Sequence, residues 1–499
     1  MRRQGSITVF FGMVLIVLCS LFFSMVETVR IYEMKLESRV ITREALASAF
    51  SEYQPYLWDT YGILALDCGY GTCVTDASLL EQRIGDFAWD NCRLGEESEG
   101  KGSQFFQIEP YGCELLSYGC LSDQDGAELV RQGAMVARQQ MTEEALTQWG
   151  SQYESLVVEE GNLPDVDACV QKAEEAMQNV AEEAETVASG EEMSVEQMSE
   201  EQMRLDDANH PLVIFREIKK QGFLGIVIGE HPVSDKTVSM VDRVSNRTRM
   251  EGTANNSEEI HAVDRLCYDW YLLHQFASFT NQPQTERALS YEVEYIIAGK
   301  DNDRDNLERV VVRMLGMREL QNCLTILKNP QMLQQTHQTA LAIAGATANP
   351  VVIQAVQVAV VAIWALVESV LDLRTLLDGG KIPVLKSQEQ WTSQLASLGQ
   401  YLSHQNQAND EEQGLSYEHY LAAMVVLLPQ KQITLRSMDL MEASLVAQEI
   451  YTNARMDAMV YQANVCCSYA ASPMFGFYLG EVKSLPMLYQ ASCEEAMHY

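Results

Sequence analysis

Residues Ile7–Val26 read ITVFFGMVLIVLCSLFFSMV, twenty residues without a charge, the most polar being Thr8, Ser20 and Ser24. A helix rises about 1.5 Å per residue, so this run spans ~30 Å, the thickness of a bilayer's hydrocarbon core. It predicts a transmembrane helix at residues 7–26, with Ile7, Phe10, Phe11, Leu15, Leu18, Leu21, Phe22 and Val26 as the anchor in lipid. A cleaved signal sequence is the competing reading. The run is longer than a usual signal-peptide apolar region, and no A-x-A-like site follows it. Cys19 does not fit a lipoprotein cysteine either, because the bulky Leu18 precedes it where a small residue is needed.

Orientation is harder to read. Arg2 and Arg3 lie before the run, and Arg30, Lys35, Arg39 and Arg43 lie after it, so counting cations alone is ambiguous. The later cations alternate with Glu27, Glu33, Glu37 and Glu44, and only a short tail precedes the run. This favours residues 1–6 as a cytoplasmic tail and the bulk of the chain outside the cytoplasm. The helix is expected to continue as a juxtamembrane amphipathic segment through residues 27–60. Ile31, Met34, Ile41, Ala45, Ala49 and Tyr53 recur at helical spacing as far as Pro55. Such a stripe needs a covering surface, supplied by the chain's own domain or by a neighbouring subunit.

Gly5-Ser-Ile-Thr-Val-Phe-Phe, the apolar run and then MVETVRIYEMKLESRVITREALASAF resemble the N-termini of minor pseudopilin-like proteins of tight-adherence (Tad) pili. Glu27, Arg30 and the segment Glu44–Phe50 stand where those chains carry an acidic residue, an arginine and an Ala-rich helix. Phe10 stands where pilin-like precursors carry Glu, five residues after the processing Gly, which argues against cleavage after Gly5. Five further segments resemble an uncharacterised family of single-pass membrane proteins of Gram-positive anaerobes, often encoded beside Tad-type pilus genes. They are SAFSEYQPYLWDTYGIL, SYEVEYIIAGK, DNLERVVVRMLGMREL, VLDLRTLLDGGKIPVLK and GLSYEHYLAAMVVLLP. The resemblance implies a location and an apparatus, with no activity and no catalytic residues to carry over.

The rest of the 499-residue chain is acidic, with 70 Asp and Glu against 35 Lys and Arg and a formal net charge of −35. That charge disfavours nucleic acid and anionic headgroups as partners. The hydrophobic fraction of 47% is enough for two or three compact units. Residues 61–125 carry Cys68, Cys73, Cys92, Cys113 and Cys120 among glycines and aromatics, and read as loops and short strands. Outside the cytoplasm these five form a candidate disulfide cluster, with buried thiols as the alternative. Their spacing lacks the C-x2-C and Cys/His pairs of a zinc site. The adjacent Cys466 and Cys467 are expected to pack separately in the core.

Residues 126–257 read as an acidic helical region with a linker, 126–205 being rich in Glu, Gln, Ala and Met. Around 212–245 the β-branched residues with Gly and Pro predict one small hairpin or sheet. Residues 258–499 read as a helical C-terminal domain, with Asp305 and Glu308 as a capping box. Pro350–Leu373 is apolar enough for a second span, but Gln354, Gln357 and Glu368 interrupt it, favouring a buried bundle helix. The fold class expected is mainly α: a long N-terminal transmembrane helix, a small Cys-rich α/β region and a C-terminal helical bundle.

Several motifs look chemical and fail on inspection. Gly95–Lys101 has the glycine and lysine spacing of a phosphate loop, but Gly102 replaces the Ser/Thr that binds magnesium, and three glutamates repel phosphate. Ser98 and Lys101 fit S-x-x-K but lack a rigid helix start and companion motifs. Asp301, Asp303 and Asp305 mimic half a calcium loop, but Asn306 and Val312 stand where Gly and Glu are required. Glu292 and Glu294 are expected to be buried against Arg304 or Arg313. The eight histidines form no H-E-x-x-H pair. No catalytic residue, metal site or cofactor is predicted. The expected function is a non-enzymatic, membrane-anchored structural or assembly component of a Tad-like pilus or secretion apparatus. Its partners would be membrane lipid and other pilin-like or secretion-apparatus proteins. The alternative is an anchored cell-surface hydrolase or adhesin.

Overall fold

The computed structural model describes residues 4–72, 76–93, 108–142, 175, 210–229, 231–254, 260–402, 406–411, 414–471 and 489–499. Cys73, the Gly95–Lys101 motifs and most of the acidic stretch 126–205 lie outside the described residues. The architecture is mainly α, with a long apolar N-terminal helix and one small sheet. The chain divides into two compact units: Met1–Gln132, Arg243–Ile260 and Met441–Tyr499 form unit 1, and Gly133–Asp242 and His261–Leu440 form unit 2.

Unit 1 is organised by helix α1 (Gln4–Phe50, 47 residues). From Ile7 to Met25 every side chain of α1 is exposed; from Arg30 onward one stripe is buried. The stripe is Arg30, Met34, Ser38, Ile41, Thr42, Ala45, Leu46, Ala49 and Phe50, spaced by three and four residues as one helix face requires. Short α2 (Pro55–Tyr61) follows, with Pro55 in its first turn and Gln54 capping the Tyr56 N–H. Then come strand β1 (Leu66–Asp67), helix α3 (Ser78–Arg93), the long strand β2 (Ile108–Cys120) and helix α4 (Ala127–Gln140).

The sheet is completed from the far end of the chain by β3 (Met459–Ala471) and β4 (Tyr489–His498). All pairings are antiparallel, with β3 central: β2 runs along one edge, and β4 with β1 along the other. Along β3 burial alternates, so Ala463, Val465, Cys467, Tyr469 and Ala471 join the core formed with α1 and α3. The expectation of an all-helical C-terminal domain through residue 499 is therefore corrected. Small Ala and Cys side chains on the inner face of β3 keep the hydrophobic alternation faint, and the partner strand β2 lies more than three hundred residues upstream. Residues 61–125 are likewise more regular than loops and short strands, holding the 16-residue α3 and the 13-residue β2.

Unit 2 is helical. It contains α5 (Pro211–Gln221), α6 (Phe223–Ile228), α7 (Ala262–Gln275), α8 (Glu292–Ala298), α9 (Asp303–Lys328), α10 (Pro330–Ala344), α11 (Pro350–Leu377) and α12 (Tyr417–Val426). The chain leaves it along α13 (Gln430–Ala447). The hairpin expected around 212–245 is corrected to α5 and α6. Pro211, Ile214, Phe215 and Ile218 are buried at i, i+3, i+4 and i+7, a helical period that outweighs local β-branching. An isolated bridge between Thr237 and Asn302 is the strand-like pairing recorded there.

Helices α9, α10 and α11 all start on an asparagine cap. Asn329 accepts hydrogen bonds from the Gln331 and Met332 N–H groups, and Asn349 from that of Val351; Pro330 and Pro350 follow them in the first turn. For α9 the cap is Asn302, which accepts from the Asp305 N–H at 2.7 Å. This corrects the Asp305–Glu308 capping box: the helix begins three residues earlier, so Asp305 is already its third residue.

Helix α11 is the axis of unit 2, packed against α5, α6, α9 and α10. From Ala359 to Leu377 every residue is buried, including Glu368, Asp372 and Arg374. Its outer start is partly open, with Val351 and Val358 exposed.

Candidate functional site

Three features stand out as candidates: the uncovered half of α1, a set of thiols on the sheet, and a cleft in unit 2. The predicted anchor residues Ile7, Phe10, Phe11, Leu15, Leu18, Leu21 and Phe22 are all more than half exposed, and Val26 sits where covering begins. A lone apolar residue on a surface is ordinary, but a helix apolar on every side over this length belongs in a bilayer or against another apolar helix. Its docked half is held by Thr42, whose hydroxyl lies 2.8 Å from that of Tyr469 on β3. Arg39 pairs with Glu495 on β4 at 3.4 Å. At the end of α1, the ring of Tyr499 packs 4.9 Å from Phe50, and its hydroxyl donates to the Phe50 carbonyl. Chain start and chain end thus close one core.

Of the five cysteines singled out in residues 61–125, four are described, and all four belong to or pack against the core of unit 1. Cys68 and Cys120 are buried thiols, Cys92 sits half-buried on α3, and Cys113 is half-buried on β2. Burial raises the Cys68 thiol to about 12 and the Cys92 thiol to about 11, so both are protonated and inert near neutrality. Cys113 instead faces Cys467 of β3, a contact that reading residues 61–125 alone could not reveal. Cys466 and Cys467 point to opposite faces of the sheet, as neighbours in a strand must.

In unit 2 a cleft of about 640 Å³ is lined by Trp364, Trp391, Ser393, Gln335, Gln338 and Gln388, among others. The two indoles meet edge to face at 5.4 Å, and both donate to the Ser393 hydroxyl, at 3.0 and 3.1 Å. Behind this wall lies a buried charge network. Glu368 accepts from the Thr392 and Ser393 N–H groups at 3.0 and 2.8 Å and pairs with Lys386. Lys386 also pairs with Asp372. Asp372 accepts from Arg318 at 2.7 and 3.0 Å and from Asn322 at 2.9 Å. Arg318 reaches the Pro383 carbonyl at 2.9 Å and the Tyr420 hydroxyl at 3.2 Å.

Burial pushes the Asp372 carboxyl up, but Arg318 and Lys386 outweigh it and hold the group below its usual range. Two cations balance two carboxylates, each satisfied from several sides, as buried charges require. The network fixes residues 383–393 against α9 and α11 and so shapes the cleft wall. It offers no nucleophile paired with a base. Two residues after Asp372, Arg374 binds the carbonyls of Ile226, Tyr401, Leu402 and Asn406, and burial brings its guanidinium down to about 10.

Glu292 and Glu294 are fully buried as expected, but their partners are corrected. Glu292 accepts from the Ala277 N–H at 2.8 Å and pairs with Arg287 at 3.7 Å. Glu294 accepts from the Phe279 N–H and the Tyr417 hydroxyl, both at 2.8 Å. Arg304 lies instead near Asp235. Burial raises the Glu294 carboxyl to about 7 despite those two bonds, and raises Asp269 on α7 to about 7 despite Arg265. Asp303 spends its carboxylate on the Ser290 and Tyr291 N–H groups and the Ser234 hydroxyl, so it does not face an open loop with Asp301 and Asp305.

The sequence reading missed the Arg318–Asp372–Lys386–Glu368 network and the tryptophan pair. The available signal was the acidic pair at i and i+4 inside an otherwise apolar helix, which demands buried cations elsewhere. The segments that carry the family resemblance supply Glu294, Arg318, Asp372, Lys386, Tyr417 and Tyr420. No curated protein and no solved structure matches the chain significantly. A family of unknown function, DUF5702, matches residues 201–471, more than half of the chain and through to the end of β3, and the chain belongs to that family.

Proposed function

We propose that the protein is a membrane-anchored structural or assembly component of a Tad-like pilus or secretion apparatus, with its bulk outside the cytoplasm and no enzymatic activity of its own. The observation that carries this reading is the division of α1. One unbroken helix leaves residues 7–25 uncovered and builds residues 30–50 into the core of unit 1. A displacement of the apolar half is thereby passed to the sheet through a rigid rod rather than a linker. A hydrolase needs only a tether, whereas a part that packs among other pilin-like helices in the bilayer benefits from such a rod. The Glu27 and Arg30 side chains, 3.4 Å apart, sit where the uncovered half meets the docked half. On this reading the pair lies at the membrane interface with its charges compensated, which supports a helix that crosses it.

The test is photo-crosslinking in cells from probes placed at Leu15 and Leu18. Adducts with chains bearing pilin-like N-terminal helices are expected. Adducts with lipid alone, at both positions and in cells assembling the apparatus, would refute the assembly role.

A further inference from the structure

The antiparallel register places Cys113 of β2 directly opposite Cys467 of β3, and Cys467 directly opposite Cys493 of β4. Three thiols therefore cross the sheet at one level. Direct cross-strand partners have Cα atoms ~4.5–5.5 Å apart, inside the ~4.4–6.8 Å window of disulfides. The Cys113 and Cys467 sulfurs lie 2.6 Å apart, close to the ~2.05 Å of a bond. Cys113 is half-buried and within reach of a small reagent, whereas Cys467 is buried under α1 beside Thr42 and Tyr469.

We infer that Cys113 and Cys467 are a disulfide-forming pair, a covalent tie between β2 and β3, the central strand of the sheet. The reaction needs a disulfide oxidant, and oxidised glutathione serves. The Cys113 thiolate attacks one glutathione sulfur, forming a mixed disulfide and releasing one glutathione thiolate. Cys467 then attacks the Cys113 sulfur and expels the second. Two protein thiols are oxidised, one glutathione disulfide is reduced to two thiols, and the two cysteine protons pass to the departing thiolates. The inference rests on the sheet geometry and is independent of the assembly role.

The full chain in detergent is incubated folded with oxidised glutathione, unfolded in the presence of excess alkylating reagent and mapped by mass spectrometry without reduction. The expected product links the Cys113 and Cys467 peptides, with loss of two alkylatable thiols per chain. The melting temperature should rise on oxidation and return with dithiothreitol, a shift that Cys113→Ser abolishes and Cys493→Ser retains. Recovery of Cys467 as an alkylated thiol, or bonded chiefly to Cys493 or to another cysteine, would overturn the assignment. If Cys113→Ser fails to fold, the wild-type peptide map alone decides the question.

Discussion

Among the described residues two helices are long and apolar enough to cross a membrane, and their surroundings are opposite. Residues 7–25 of α1 are uncovered by the described residues, and the polar residues among them are the small Thr8, Ser20 and Ser24. Helix α11 is covered along its whole second half and carries Glu368, Asp372 and Arg374 there. Each of those charges is met by a named partner in unit 2, Lys386 and Arg318 above all. The difference teaches that apolar length does not distinguish a span from a core helix. What distinguishes them is whether the intervening charges have partners within the same folded unit.

Arginine scanning breaks this comparison most sharply. Ile363→Arg places an unpaired cation at a fully buried site of α11. It should cost more than about 4 kcal/mol and abolish the cooperative melt of unit 2. Asp372→Ala leaves Arg318 and Lys386 without their shared carboxylate, and a loss of ~3–5 kcal/mol is expected in denaturant titrations. Leu15→Arg, on the uncovered half of α1, should leave melting unchanged and instead weaken membrane insertion by ~2.5–3.5 kcal/mol, read from the membrane-bound fraction. If Leu15→Arg instead unfolds a unit, or Ile363→Arg alters only membrane partition, the two helices have been assigned the wrong way round.

A smaller effect follows from the buried carboxylates of unit 2. Burial holds Glu294 and Asp269 protonated up to about pH 7, above their ordinary values of 4.5 and 3.8. Between those values and about 7 the folded chain binds more protons than the unfolded chain. Their contribution to stability is thus fully present at low pH and declines as pH rises through that window. Glu294→Gln should flatten the fall in melting temperature between pH 5 and pH 7, in a titration run beside the wild type.

Much of the helical architecture was legible because its signals are local. The apolar run and the helical stripe after it follow from short-range periodicity, although α1 ends at Phe50 and a separate helix, α2, starts at Pro55, so the expected single segment through residues 27–60 is corrected. The sheet was not legible. Its central strand pairs Ile108–Cys120 with Met459–Ala471 across the length of the chain, and no local pattern in either strand names the other. The charge network was half legible: Glu368 interrupts an apolar run, but its partner Lys386 lies beyond the end of the helix, past Pro383. The Cys113–Cys467 contact was hidden for the same reason, since cysteine counting within residues 61–125 draws attention to neighbours in sequence.

The most direct test of the central claim is the partition of a chain lacking residues 1–26. With α1 as the membrane element and α11 as a core helix, the truncated protein should be recovered in the aqueous fraction without detergent and keep the cooperative melt of the full chain. Retention of the truncated chain in the membrane, released only by detergent, would contradict the account and make α11 a second span.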